Sequence, residues 1–280
     1  MAPLLLRVGL IAFCVSVCAA RNGFVKDQST TRIPFPPGVP PPRPYSDIPT
    51  GHLRPLGYQR RPASTVPEAK KMPKPRDFYL MYIKQLQPVV FRQSLHTVPA
   101  ATTWTEDTYL KTTYGHLQVA VVVKKERAKN VPLKMTLKTF LREYHYEDWY
   151  LSTVTPQDML HELTLPTCLQ CGMRKFLEES ELWMSSGGTA SLLHSHADHN
   201  LHCVLAGRKD FILIHAQHKG KLAFHADIAY PEAGSSEIDM DRVNMFKYKS
   251  VADVPWSWST LWAGDCVYIP AGTRIHVDYM

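Results

Sequence analysis

Alternating apolar and polar positions dominate the second half of the chain. From residue 180 onward, short runs rich in β-branched and aromatic residues follow one another: ELWMSSGG, TASLLHSH, NLHCVLA, KDFILIH, STLWAGDCVYIP and RIHVDYM. Gly, Pro and Asp separate them, and short strands with such turn signals predict a sandwich or barrel. Gly207-Arg208 reads as a hairpin turn between two of the strands. The preceding hundred residues carry a mixed pattern. Residues 77–84 suggest a short helix and residues 88–91 a strand. Thr105 is placed to cap a helix whose first turn holds Glu106 and Asp107 and which Gly115 ends. Residues 117–123 form an apolar, β-branched run. Thr136 is placed to cap a second helix reaching about Tyr144. Residues 149–154 read as a strand, and Thr155-Pro156 opens a short helix with proline at its first position. Helices early and strands late predict a mainly β fold, a jelly roll on a helical support layer.

The N-terminal quarter has no such pattern. It opens MAPLLLRVGLIAFCVSVCAA: one basic residue, Arg7, then an apolar run of about 13 residues and small residues before Arg21. This reads as a signal peptide over residues 1–20, cleaved near Ala20. The run is short for a membrane span, with a signal anchor as the alternative. No other stretch is long and apolar enough to cross a bilayer, so none is expected after cleavage. Residues 34–75 hold 13 of the 22 prolines, which disfavours helices and sheet ladders. Residues 21–75 therefore read as a disordered, Pro-rich, basic linker, and residues 76–280 as the folded domain. The net charge of +7 sits in that linker; the domain itself is close to neutral. This argues against nucleic acid as a partner.

Six cysteines are present. Cys14 and Cys18 belong to the signal stretch, leaving Cys168, Cys171, Cys203 and Cys266. Cys168-Leu-Gln-Cys171 fits a redox pair, a disulfide or half a zinc site. No second C-x-x-C completes a zinc ribbon, which favours structural thiols or a local disulfide.

The chemistry concentrates in LLHSHADHNLHCVLAGRKDFILI, residues 192–214. Alternate residues of a strand share a face. His194 and His196, with Asp198 as a substitute ligand if the strand shifts, would then reach one metal ion at about 2.0–2.2 Å. A third ligand from a neighbouring strand would be His276. His199, His202, His215, His218 and His225 read as ordinary polar residues.

Residues 182–214 resemble the JmjC-type cupin family of iron- and 2-oxoglutarate-dependent oxygenases. That family's motif is His-x-Asp, then Asn a few residues on, then Gly-x-Lys. The corresponding residues are His194-Ser-His196-Ala-Asp-His199-Asn200 and Gly207-Arg-Lys209. GDCVYIPAG with His276 is similar to the segment of the second histidine, and the resemblance extends over residues 77–280. It implies a double-stranded β-helix, Fe(II), and 2-oxoglutarate as cosubstrate. It also implies Lys209 as the cation for the cosubstrate's distal carboxylate, a hydroxyl from Ser191 or Thr189, and Asn200 as an amide beside the iron. Gly187-Gly188 would let the backbone turn beside the site.

Three features depart from the motif. His196 replaces the carboxylate, which removes one negative charge and shifts the donor set toward softer metals. His276 follows Pro270 by six residues rather than five, which calls for a bulge. The stop at Met280 suggests a roll incomplete at its C-terminal end. The expected function is hydroxylation of a protein or peptide side chain in the secretory pathway, in the endoplasmic reticulum lumen or outside the cell. The resemblance also suggests a homodimer. The competing expectation is a catalytically inactive cupin-like binding module.

Overall fold

The computed structural model describes residues 10–18, 35–41, 46–123, 132–225 and 234–279. Their strands are β1 (Ile11–Cys18), β2 (Ser64–Thr65), β3 (Glu68–Ala69), β4 (Val89–Phe91), β5 (Gln118–Val123), β6 (Leu133–Thr136), β7 (Trp149–Val154), β8 (Leu177–Ser185), β9 (Thr189–Ala190), β10 (His194–Ser195), β11 (His199–Ala206), β12 (Arg208–Ile214), β13 (Ser257–Trp262), β14 (Cys266–Ile269) and β15 (Arg274–Tyr279). A nine-stranded sheet runs β3-β4-β14-β11-β1-β8-β7-β5-β6. A second sheet runs β10-β15-β12-β13-β2, with β9 joined to β15. From β11 onward the chain passes repeatedly between the two sheets, which makes the mainly β jelly roll that the strand pattern predicted.

Period-2 patterning decides which face each residue takes. On β11, Leu201, Cys203 and Leu205 enter the core beneath the helical layer, while Val204 packs between the sheets. On β12, Phe211 and Leu213 point between the sheets. Ile212 and Ile214 point outward into a third cluster with Leu56, Val251 and Trp256. Gly207 is not a hairpin turn: β11 pairs with β1 and β14, while β12 pairs with β13 and β15. Its φ of +79° serves a corner at which the chain leaves one sheet for the other, a conformation glycine adopts without steric cost.

Helices α1 (Pro75–Phe78), α2 (Ala100–Thr103), α3 (Asp107–Thr113) and α4 (Leu137–Glu143) contribute buried side chains to the support layer. α1 runs on into a wider π turn over Tyr79–Ile83. α4 follows its sequence signal. The hydroxyl of Thr136 accepts the N–H of Thr139 at 3.2 Å, and Leu137, Phe140, Leu141 and Tyr144 form the buried stripe. Thr105 does not cap α3. Its hydroxyl donates to the Thr102 carbonyl, and Glu106 takes the cap position. Pro156 stands just before a 3₁₀ turn, Gln157–Glu162, rather than inside it.

That turn delivers Glu162, which ties the support layer together. Its carboxylate accepts from the Thr103, Tyr109 and Tyr114 hydroxyls and from the Trp104 indole. Burial alone would raise its pKa, but these donors outweigh burial and hold it below the usual carboxylate range.

Two N-terminal expectations meet a different arrangement. Residues 46–75, expected within a disordered linker, are laid on the roll. Leu56 and Val66 are buried, β2 pairs with β13 and β3 with β4. Proline excludes long ladders but not two-residue pairings and turns. The apolar stretch expected to be a leader contains β1, a central strand between β8 and β11. Ile11, Phe13, Val15 and Val17 pack into the core under the helices, worth about 1.5–3 kcal/mol each on area arguments.

Of the two alternatives above for Cys168 and Cys171, the structure has free thiols rather than a local disulfide. Cys168 is a buried thiol and Cys171 an exposed one. Cys203 and Cys266, directly opposite on β11 and β14, form a disulfide across 63 residues of chain. A cross-link of that span contributes about 2–4 kcal/mol.

Replacing Glu162 by Gln is expected to cost about 1–3 kcal/mol in urea unfolding, because an amide group then faces hydroxyl and indole donors. The Glu162 carboxyl titrates lower when folded than when unfolded. Its contribution is therefore present above its ordinary range and fades as pH falls through its folded range. Glu162→Gln should lose that part of the acid-side dependence; an unchanged unfolding profile against pH would refute the role of Glu162.

Candidate metal centre

β10 is only two residues long, and pairing fixes its position. His194 lies opposite Ile275, and Ser195 opposite Arg274, on β15. Ile275 belongs to the core between the sheets, and directly opposed residues share a face, so His194 stands on the inner side of the roll. Its Nδ1 donates to the Leu192 carbonyl at 2.8 Å, which leaves Nε2 as the acceptor nitrogen. That Nε2 lies 3.2 Å from Nε2 of His196, with the rings nearly perpendicular at 79°. Burial holds the His196 imidazole below the usual histidine range, against an opposing pull from Asp198. A neutral imidazole is the form that binds metal. Two nitrogens at bond lengths of about 2.0–2.1 Å from one ion are separated by roughly 3.0–3.4 Å. The observed spacing falls in that interval and is also that of a hydrogen bond between the two rings.

The remaining candidates are distributed around this pair. Asp198 is half-buried and acts on both His196 and His199 through its charge. His199 has a structural role: its Nδ1 accepts the Tyr268 hydroxyl at 2.7 Å and the Ala271 N–H at 3.2 Å. The backbone of His276 pairs with Ile212, one position out of step with Ile275 opposite His194. The pairing of β15 with β12 runs unbroken from Arg274 to Tyr279, so the bulge suggested by the six-residue spacing is absent. Among the described residues, no three His, Cys, Asp or Glu side chains gather as a metal set.

Lys209 is fully buried. Its Nζ lies 3.2 Å from Nε2 of His202 and 5.0 Å above the Trp183 ring. Burial, with the Lys209 charge beside it, drives the His202 imidazole well below its usual range. His202 is therefore neutral and accepts from the ammonium. Thr189 and Lys209 flank the same residue, Tyr279, on opposite sides of β15, so the resemblance's cation and one of its hydroxyl candidates share a rung. Ser191 is buried. Asn200 is also buried, its amide nitrogen donating to Sγ of Cys14 at 3.3 Å. Its Oδ1 has no hydrogen-bond partner among the described residues. Gly187 and Gly188 have φ of +83° and +65°, the turn their sequence suggested.

A family model for the cupin-like domain matches residues 75–278. The chain belongs to the cupin-like domain family. A search of curated proteins found no match. The inward position of the histidine pair suits a cupin-like roll, whose interior is lined by alternate residues of its strands. Sequence reasoning missed His202, Trp183, Glu181, Cys14 and Ser16, which together make the inner face polar beside Lys209. Period-2 alternation from Asn200 to His202 was the available signal. The cupin-like chain also has an open groove of about 670 Å³ lined by Arg92, Arg208, Trp258, Trp262 and Asp265. Its charges are engaged: Arg92 pairs with Glu68 and Asp265, and Arg208 with Asp210.

His194→Ala is expected to abolish stoichiometric binding of a divalent metal while leaving the fold intact. Metal analysis after dialysis checks this, and unchanged metal content would remove His194 from the site.

Proposed function

We propose that this cupin-like chain is an oxygenase of the JmjC type, using Fe(II) and 2-oxoglutarate to hydroxylate a side chain of a protein or peptide in the secretory pathway. The observation that carries the reading is the 3.2 Å approach of the His194 and His196 Nε2 atoms. His194 and His196 would hold the iron, and two imidazoles leave coordination positions open for other donors, as the two-histidine, one-carboxylate set does; His276, on the rung of Ile212 rather than of Leu213, is not assigned to the set. Bound iron and 2-oxoglutarate would supply oxidising chemistry with molecular oxygen as the oxidant, one oxygen atom entering a substrate C–H bond and the other the succinate formed as 2-oxoglutarate loses carbon dioxide.

The chain's own residues would prepare that chemistry. Lys209 would hold the distal carboxylate, with Thr189 on the same rung or Ser191 as hydroxyl donor. The rungs of Leu213, which faces Ile275, and of Lys209 are four residues apart on β12, about 13 Å along the strand. Side chains reaching in from both rungs and a small dicarboxylate can bridge that span. The open acceptor of Asn200 offers a hydrogen bond on the same inner face. The Cys203–Cys266 disulfide supports an oxidising compartment. No helix among the described residues is long and apolar enough to cross a membrane.

One observation favours a second reading, a non-catalytic binding module. His196 stands where the motif has a carboxylate, so the site carries one negative charge fewer. The full chain, unmodified and with His196→Asp, should be compared for succinate release under air with Fe(II) and 2-oxoglutarate. Succinate from the unmodified chain is expected. Succinate from the His196→Asp variant alone would replace the oxygenase reading with the binding module.

Lys209→Ala should weaken 2-oxoglutarate binding at least tenfold in calorimetry while metal content is retained. Equal affinity would remove Lys209 from the cosubstrate site.

A further inference from the structure

β1 is unlike its neighbours. It pairs parallel with both β8 and β11. The flanking pairings in the same sheet, β7 with β8 and β11 with β14, are antiparallel. β8 and β11 therefore run the same way, and the gap between them presents two co-directional ladder edges. Such a gap accepts a central strand in either direction, and β1 uses the slightly weaker parallel ladder.

The gap also selects its occupant by side-chain size. Toward the helices it takes large apolar residues: Ile11, Phe13, Val15 and Val17 pack with Leu182, Met184, Leu201 and Leu205. Toward the interior it has room for small residues only. Cys14 lies 3.3 Å from the Glu181 carboxylate and 3.3 Å from the Asn200 amide. Ser16 touches His202 at 3.2 Å and the Cys203 carbonyl at 3.4 Å. The rule is a strand alternating large apolar with small residues, in one phase only.

Residues 19–63 separate β1 from the next strand among the described residues, β2, and β1 itself lies in the stretch with a leader pattern. Cleavage near Ala20 would bare two strand edges and the apolar residues between them, in the middle of the sheet. Such an edge is a template for another strand. We propose that the gap between β8 and β11 is a strand-binding site. It is filled in cis by residues 11–18 and, once residues 1–20 are removed, by an extended segment of a partner protein carrying the same alternation. Backbone ladders would supply affinity, and the two faces of the gap would supply phase specificity.

The test uses the full chain with a protease site inserted among residues 21–34, cut after folding. Residues 1–20 should remain bound through gel filtration. An excess of a labelled peptide with the sequence of residues 10–18 should displace them, and a peptide with its large and small positions interchanged should bind at least tenfold less. Release of residues 1–20 with no fall in melting temperature would overturn the site. So would a bound fragment that no peptide displaces, or equal exchange by both peptides. A dimer whose share rises with protein concentration before cutting would overturn the partner in favour of a second copy of this chain.

Discussion

Continuity of the large sheet between β8 and β11 is the constraint on which the rest of the molecule depends. β8 connects the sheet to β7, β5 and β6; β11 connects it to β14 and β4. With β1 between them, one surface carries the helical layer and the other forms a wall of the interior that holds Lys209. The strand's two faces serve these two environments. Its large apolar side chains complete the packing under the helices, and its small ones leave space for Trp183, His202 and Lys209 inside. Many backbone N–H and C=O groups would lose their partners without it, and buried backbone groups are costly to leave unpaired.

The interior is organised around a second constraint, the burial of a cation. An ammonium group without exposure needs polar partners, and Lys209 meets a neutral imidazole and the face of an indole. The helical layer solves the opposite problem, a buried carboxylate, with four donors on Glu162. Both arrangements fix side chains that would otherwise be mobile. The Cys203–Cys266 bridge joins β11, the strand that carries His202, to β14. The His194 and His196 pair stands several rungs away, at a two-residue strand held by β15.

Much of the roll was legible in the residues. Runs such as NLHCVLA and KDFILI alternate with period 2, and β11 and β12 follow them. Residues 149–154 and the Thr136 cap also stand where their local patterns put them, because caps and alternation are short-range effects. The approach of His194 and His196 needs only their spacing of two residues, although strand alternation does not carry it: β10 ends at Ser195, one residue before His196. The His202 contact with Lys209 was harder to see, since it spans two sheets.

IAFCVSVC has two readings by composition alone. It fits the apolar core of a leader, and it fits a strand with large residues on one face and small ones on the other. Propensity does not separate them; only the gap between β8 and β11, built from residues far along the chain, makes it a strand. The same holds for the disulfide partner of Cys203, for the sheet switch at Gly207, and for the register that sets Ile275 rather than His276 opposite His194. By itself the sequence determined which stretches alternate and which of them carry groups with metal- or anion-binding chemistry, because those properties depend on residues a few positions apart. Tertiary structure alone decided strand order, pairing register and what lies across from each side chain, because these depend on competition among distant segments for the same hydrogen-bonding edges.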